Sequence, residues 1–138
     1  MRPMKKAVPC VLVGLAFAVS FLFGCAAPQP AKNPSEPKIE MDVIPEAKIT
    51  QFESALGTHE KDPALIFTVE IQNVSNQPMR YRLNIFLQDM DKASGSLVPV
   101  TGKPPVMEPG KTETVKIPFV KTDKESKDIL VIVKQASY

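Results

Sequence analysis

Alternation of apolar and polar residues is the most regular pattern in this chain. It runs through residues 65–72 and 79–88, and again through residues 114–119. A period of two places every second side chain on the same face of an extended strand, so each segment predicts a strand with one buried face. Residues 129–133 are apolar at every position and predict a central or doubly covered strand.

Turn-forming residues separate these segments. Residues 73–78 and 89–96 are rich in Asn, Asp, Ser and Gly. Residues 108–111 read Glu-Pro-Gly-Lys, which favours a type II turn. We expect residues 65–72 and 79–88 to pair as an antiparallel hairpin across the first of these turns.

The number of strands predicts the fold class. With short segments at residues 49–52 and 97–100 included, six or seven strands follow one another at a spacing of about 8–12 residues. We therefore expect an all-β fold, a small immunoglobulin-like or fibronectin-like antiparallel β-sandwich over residues 46–138. The conserved cysteines and tryptophan of antibody domains are missing from this region, so only the architecture is predicted.

The first 24 residues have the composition of a secretory signal peptide. Arg2, Lys5 and Lys6 form a basic start, and no charged residue occurs from position 7 to position 24. A transmembrane anchor is the alternative, but the apolar run of residues 11–24 is shorter than the roughly 20 residues that a helix needs to span a bilayer. We expect residues 1–24 to be cleaved.

The end of this segment, Leu22-Phe23-Gly24-Cys25, resembles the lipobox of bacterial lipoproteins, although Phe23 is bulkier than the usual residue there. The resemblance implies cleavage after Gly24 and acyl chains, palmitate among them, on Cys25, which would attach the mature protein to a membrane. Ala26 after the cysteine implies the outer membrane of a Gram-negative bacterium, on the periplasmic side. Ordinary cleavage near Ala26, which would release a soluble periplasmic protein, is the alternative.

Residues 25–45 are rich in proline and polar side chains, which predicts an extended tether between the lipid anchor and the domain. A second interpretation concerns the end of this segment. Ile39, Met41 and Val43 alternate with acidic residues and could already form an edge strand, with the tether ending near Pro37.

Composition excludes several kinds of functional site. Loss of the signal would remove three basic residues and lower the net charge from +2 to about −1, which predicts no binding of nucleic acid. A single His59 offers too few ligands for zinc, and the chain has no G-x-S-x-G motif for a serine nucleophile. Asp89 and Asp91 resemble the start of a calcium loop but lack its Gly and Glu. We expect a protein that is not an enzyme and needs no metal and no cofactor.

Three motif elements resemble the YcfL-like family of small bacterial lipoproteins. They are Asn73 before a turn, the strand Tyr81-Arg82-Leu83, and Asp89 before a Gly-containing turn. Leu83 stands where that family has an aromatic residue. The resemblance implies an envelope location and a β fold, and it implies no ligand or binding residue.

The candidate binding site lies on the outer face of the strand predicted for residues 79–88. Arg80, Arg82 and Phe86 share that face, and an aromatic side chain flanked by arginines is typical of protein contacts. We therefore expect a binding or assembly module with an envelope protein as partner, in an oligomeric state that the sequence leaves open. One alternative is a passive structural lipoprotein in which Phe86 is simply exposed, or covered by residues 89–96. The other is a metal-handling protein that uses methionine thioethers.

Overall fold

The computed structural model describes residues 36–138. The predicted signal peptide, the lipidation of Cys25 and most of the predicted tether lie outside the described residues. Seven strands and one short 3₁₀ helix follow one another in the described chain: β1 (Lys38–Val43), β2 (Ala47–His59), β3 (Asp62–Asn73), β4 (Tyr81–Leu87), the 3₁₀ helix (Gln88–Met90), β5 (Lys92–Val98), β6 (Thr112–Val120) and β7 (Asp128–Gln135).

These strands form two sheets. The four-stranded sheet has the order β1-β7-β4-β5, and the three-stranded sheet has the order β2-β3-β6. The prediction of an all-β sandwich with six or seven strands is confirmed. Every pairing between these strands is antiparallel except the one between β1 and β7, which is parallel.

Both sheets bury their facing sides in one core. Phe67 in β3 packs against two aromatic rings, with centroid distances of 5.4 Å to Phe52 and 5.5 Å to Phe119. The buried residues alternate along β3, β4, β6 and β7, as the period of two in the sequence requires. The deeply buried side chains include Leu65, Phe67, Val69, Ile71, Tyr81, Leu83, Ile85, Leu87, Val131 and Val133.

The domain begins earlier in the chain than the sequence boundary predicted. β1 pairs with β7 over its whole length, starting at Lys38. The assignment of residues 25–45 to the tether is therefore wrong at its C-terminal end, and so is residue 46 as the start of the domain. The edge strand suggested by the alternation at Ile39 and Met41 is present. The physical reason is that β1 pairs with the backbone N–H and C=O groups along the edge of β7 that faces away from β4, which would otherwise form an open sheet edge.

The expected hairpin between residues 65–72 and 79–88 does not form, because these residues belong to β3 and β4, which lie in different sheets. β3 pairs with β2 instead. The two strands are joined by the two-residue turn Glu60-Lys61, whose φ angles are 53° and 95°. Such angles are typical of a type I′ turn, and Asn or Gly usually occupies it. Neither residue is present at positions 60 and 61, so this turn could not be predicted from turn-forming residues.

The turn predicted at residues 89–96 is mostly strand. Only the 3₁₀ helix and Asp91, with a φ of 53°, reverse the chain before β5 begins. Gly95 lies inside β5 because a Cβ there would come within 2.5 Å of the Asn84 side chain and of the Leu83 carbonyl oxygen. The absence of a side chain at Gly95 therefore allows β4 and β5 to approach closely, and this glycine is not part of a turn.

Two other local predictions are confirmed. Gly110 has a φ of 78°, and the Lys111 N–H donates to the Glu108 carbonyl oxygen at 3.0 Å, as expected for the type II turn. Residues 129–133 lie in β7, which is a central strand between β1 and β4.

Candidate functional site

Asn73 has a structural role. Its side chain is fully buried, and its Nδ2 donates to the carbonyl oxygens of Gln77 at 2.7 Å and Met107 at 2.8 Å. Its Oδ1 accepts from the Ser75 N–H at 2.9 Å. One amide therefore holds two loops together and has no capacity left for a ligand.

Tyr81 is also structural. Its ring is buried in the core, and its hydroxyl donates to the Glu46 carbonyl oxygen at 2.9 Å. Burial, and then the negative charge of Glu46, raise the pKa of Tyr81 to about 12. The phenol therefore stays neutral and ties the start of β4 to the connection between β1 and β2.

The Asp89 carboxylate stabilises the loop that precedes β7. One of its carboxylate oxygens accepts from the Lys127 N–H at 2.9 Å, and the other accepts from the Ser126 hydroxyl. These contacts, the Lys127 N–H first, hold the pKa of Asp89 below its usual value. The carboxylate orders the end of the loop before β7, and its oxygens are occupied by this loop. Asn73, Tyr81 and Asp89 thus all serve the fold.

The outer face of the four-stranded sheet is the best candidate for a functional site. The strand register places Phe86 of β4 between Leu130 of β7 and Ala93 of β5. No strand lies over this side within residues 36–138, and its large apolar side chains are half-buried. We call these side chains the apolar face: Phe86, Leu97, Leu130 and Ile132.

Charged side chains border the apolar face. Arg82 is exposed, and its register partner on β7 is Lys134. The Lys134 Nζ lies 2.7 Å from the Asp42 Oδ2 on β1. Arg80, just before β4, is half-buried, and its Nε is buried with no hydrogen-bond partner among the described residues. A basic end and an acidic side therefore flank the apolar face.

Two open depressions lie on this side of the sheet. One, of about 310 Å³, is bounded by Arg82, Asn84 and Leu97, and its floor is Gly95. The other, of about 370 Å³, lies where Phe86 and Leu130 meet the start of β5. Both are shallow, which suits side chains projecting from another protein better than an enclosed small molecule.

The structure brings together some of the site residues that were predicted from the sequence. Arg82 and Phe86 lie on the same face, with Arg80 at its end. Phe86 is not covered by residues 89–96, because most of that segment forms β5 alongside. Three apolar neighbours, Leu97, Leu130 and Ile132, were missed. The uninterrupted apolar run of residues 129–133 was the signal for two of them.

The remaining chemical candidates are scattered. His59 is the last residue of β2, at the hairpin turn, and Met79 and Met107 are buried where they bridge two loops. Residues 36–138 contain no group of three or more His, Cys, Asp or Glu side chains that could hold a metal ion. No helix in that part of the chain is long and apolar enough to cross a membrane.

No protein-family model, no curated protein and no solved structure matches this chain. The site is therefore interpreted from its own geometry.

Proposed function

We propose that this chain is an envelope lipoprotein of a Gram-negative bacterium, attached to the outer membrane by acyl chains on Cys25 and facing the periplasm. In this proposal it is a non-catalytic binding or assembly module, and the apolar face of its four-stranded sheet takes up a partner protein. The observation that carries the binding role is the set of four large apolar side chains that no strand covers within residues 36–138. The likeness to YcfL-like lipoproteins belongs to the same proposal.

The composition of the site supports a protein partner. A large aromatic side chain on the central strand β4, with arginine on the same side, is typical of the residues that contribute most to protein interfaces. The exposed ion pairs Lys134–Asp42 and Lys38–Glu40 beside this face could exchange their partners for complementary charges on a bound protein and so select its orientation.

The tether supports the location. With the domain starting at Lys38, the residues between Cys25 and β1 would span roughly 40 Å if fully extended as polyproline helix. That length would hold the apolar face away from the lipid headgroups. Several acyl chains on one cysteine are needed for stable attachment, since a single chain binds membranes only marginally.

The location can be tested with Cys25→Ser. Metabolic labelling with a palmitate analogue should mark the native protein, and fractionation should place it in the outer membrane. The Cys25→Ser chain should carry no label and leave that fraction. Release of an unlabelled native protein into the soluble periplasm would instead favour ordinary signal cleavage.

The binding role can be tested by photocrosslinking in intact cells. A photoreactive amino acid is placed at Ile132 on the apolar face and, as a matched control, at Thr68 on the outer side of β3 in the other sheet. A specific adduct with an envelope protein at position 132, absent at 68 and reduced by Phe86→Ala, is expected. The same pattern at both positions, or no adduct at either, would favour the passive structural alternative.

A further inference from the structure

The two edges of the sandwich differ in how they are protected. At the edge formed by β5 and β6, the Lys92 ammonium donates to the carbonyl oxygens of Val120 at 3.1 Å and Lys121 at 3.0 Å, and to the Thr122 hydroxyl at 2.6 Å. β6 also contains Pro118, which has no N–H to offer to another strand. These features discourage the addition of a strand at this edge.

The edge formed by β2 lacks such protection. β2 is the longest strand, with 13 residues, and every residue from 54 to 58 is exposed and uncharged. Leu56 is 49% exposed although its side chain points to the same side as the buried residues of the sheet. An exposed, uncharged segment of an edge strand is a ready template for pairing with another strand.

Some backbone N–H and C=O groups of β2 point away from β3 and are not used in the pairing of these two strands. In antiparallel sheets, alternate residues direct their N–H and C=O groups to opposite sides of the strand. Pro63, the register partner of Thr58, has no N–H, and its carbonyl oxygen accepts from the Thr122 N–H at 3.1 Å on the far side of β3. Thr58 therefore directs its own backbone groups away from β3. The same alternation applies to Leu56, Ser54 and Phe52, and β3 is the only strand beside β2 within residues 36–138.

We propose that two copies of this chain pair along β2, antiparallel, about a two-fold axis at Ala55. In this register Ser54 lies opposite Leu56 of the partner subunit, and Phe52 lies opposite Thr58 of the partner subunit. All four residues with spare backbone groups are then hydrogen-bonded. The exposed part of Leu56 is covered at the same time.

The sequence of β2 is complementary to itself in this register. The charged Glu53 lies opposite Gly57 of the partner subunit, so the two carboxylates are kept apart, and the small Ala55 side chains meet at the axis. A register centred on Glu53 would set two carboxylates directly opposite each other, which is unfavourable. Because β2 belongs to the three-stranded sheet, this pairing leaves the apolar face free and does not depend on the function proposed above.

Disulfide trapping tests the pairing directly. The full chain carries Cys10→Ser and Cys25→Ser, so that Ala55→Cys provides the only thiol, and the protein is extracted in mild detergent and oxidised. Residues that face each other in a pair without direct hydrogen bonds have Cα atoms about 4.5 Å apart, within the range of roughly 4.4–6.8 Å that disulfides accept. A homodimer that reduction dissolves is expected. Ala93→Cys, an exposed alanine on the edge strand β5, is the matched control and should stay monomeric.

Two further variants test the register and the backbone contacts. In the Ala55→Cys chain, Gly57→Lys should raise the dimer yield and Gly57→Glu should lower it, because position 57 faces Glu53 of the partner subunit. Ser54→Pro removes an N–H that the β2–β3 pairing does not use, and we expect at least about tenfold less dimer, equivalent to about 1.4 kcal/mol. Thermal unfolding checks that each variant is folded. If Ser54→Pro does not fold, the comparison of Gly57→Lys with Gly57→Glu tests the pairing without it.

Three results would overturn the proposal. They are the absence of a homodimer from Ala55→Cys, equal dimer formation by Ala93→Cys, and equal yields from the two charged substitutions at position 57. Disulfides that join Ala55→Cys only to other proteins would also contradict it, because the occupant of the edge would then not be a second copy.

Discussion

The outer sides of the two sheets have different chemistry. On the three-stranded sheet, polar side chains satisfy one another: the Thr50 hydroxyl donates to the Glu70 carboxylate at 2.5 Å, and the Thr114 hydroxyl lies 3.5 Å from the same group. On the four-stranded sheet, the corresponding central positions are occupied by Phe86 and Ile132. One domain therefore has one side suited to water and another suited to a protein.

This difference distinguishes the side chains that stabilise the fold from the side chains that the fold does not require. The inward residues of both sheets bury apolar surface and stabilise the domain. The outward residues of a two-layer sandwich are not part of this core. On β3 the outward residues Thr68, Glu70 and Gln72 are polar and Ile66 is apolar, so the fold forms with mostly polar residues there. The large side chains on the apolar face are therefore the best indication of a function beyond folding.

The largest expected effect comes from placing a charge on the apolar face. Ile132→Glu should weaken binding of the partner at least about 30-fold, about 2 kcal/mol, because a carboxylate would be buried without a counter-charge at the interface. Thr68→Glu on the opposite side should leave affinity unchanged. Titration with the partner found by crosslinking measures both. Equal losses in the two variants would remove the distinction between the two sides.

A glycine in each sheet gives a second comparison, in stability. Gly95→Ala should destabilise the domain by about 2 kcal/mol, since the new Cβ would press on the Leu83 carbonyl oxygen. A Cβ at Gly57 would meet only the end of the Ile66 side chain, at 3.5 Å. Gly57→Ala should therefore be neutral or stabilise by about 0.5 kcal/mol. Urea unfolding of the two variants checks the contrast, and similar losses would refute it.

Truncation of the central aromatic side chain should have a smaller effect on binding. Phe86→Ala should reduce affinity for the partner about tenfold, or about 1.4 kcal/mol, because one anchor is lost while Leu130 and Ile132 stay in place. Phe86→Leu should recover most of this loss. The measurement is the same titration, and full affinity in Phe86→Ala would move the site away from β4.

The smallest effect concerns the end of the four-stranded sheet. The pKa of Asp89 is lowered by the Lys127 N–H and the Ser126 hydroxyl. Its stabilising contribution is therefore complete above the ordinary carboxyl pKa of about 4 and is lost as the pH falls through the lower, folded-state pKa.

Asp89→Asn should therefore be less stable than the native chain at pH 7, and the difference should shrink near pH 3. Denaturant titrations at the two pH values measure this. Asp91→Asn serves as control, because asparagine also tolerates the left-handed backbone at that position, where φ is 53°. A difference that stays constant with pH would show that the Asp89 carboxylate does not act through its charge.

Sequence patterns predicted which side of β3, β4 and β6 is buried. The alternation at Tyr81, Leu83 and Ile85 identified the inward face of β4, and it placed Arg82 and Phe86 outward. Strand partners were not predictable in this way, because a period of two says nothing about which strand lies alongside. The hairpin expected between residues 65–72 and 79–88 failed for that reason.

The candidate site was also predictable only in part, because alternation along one strand does not show which residues of other strands lie beside it. Arg82 and Phe86 lie on one strand, so their common face follows from parity alone. Leu130 and Ile132 join them through the pairing of β4 with β7, a contact between residues far apart in the chain. The run of residues 129–133 was interpreted as a central or doubly covered strand. It is central, between β1 and β4, but its outer side faces no strand within the described chain.

The parallel pairing of β1 with β7 also has a mechanical consequence. The chain enters the domain at Lys38, and β1 is bonded to β7 along all of its six residues, with a further hydrogen bond from the Lys38 N–H to the Lys127 carbonyl oxygen at 2.8 Å. A pull along the axis of β1 would load these bonds together, in shear, rather than opening them one after another. A domain held by its N-terminal end could in this way resist tension between its anchor and a bound partner while the core stays intact.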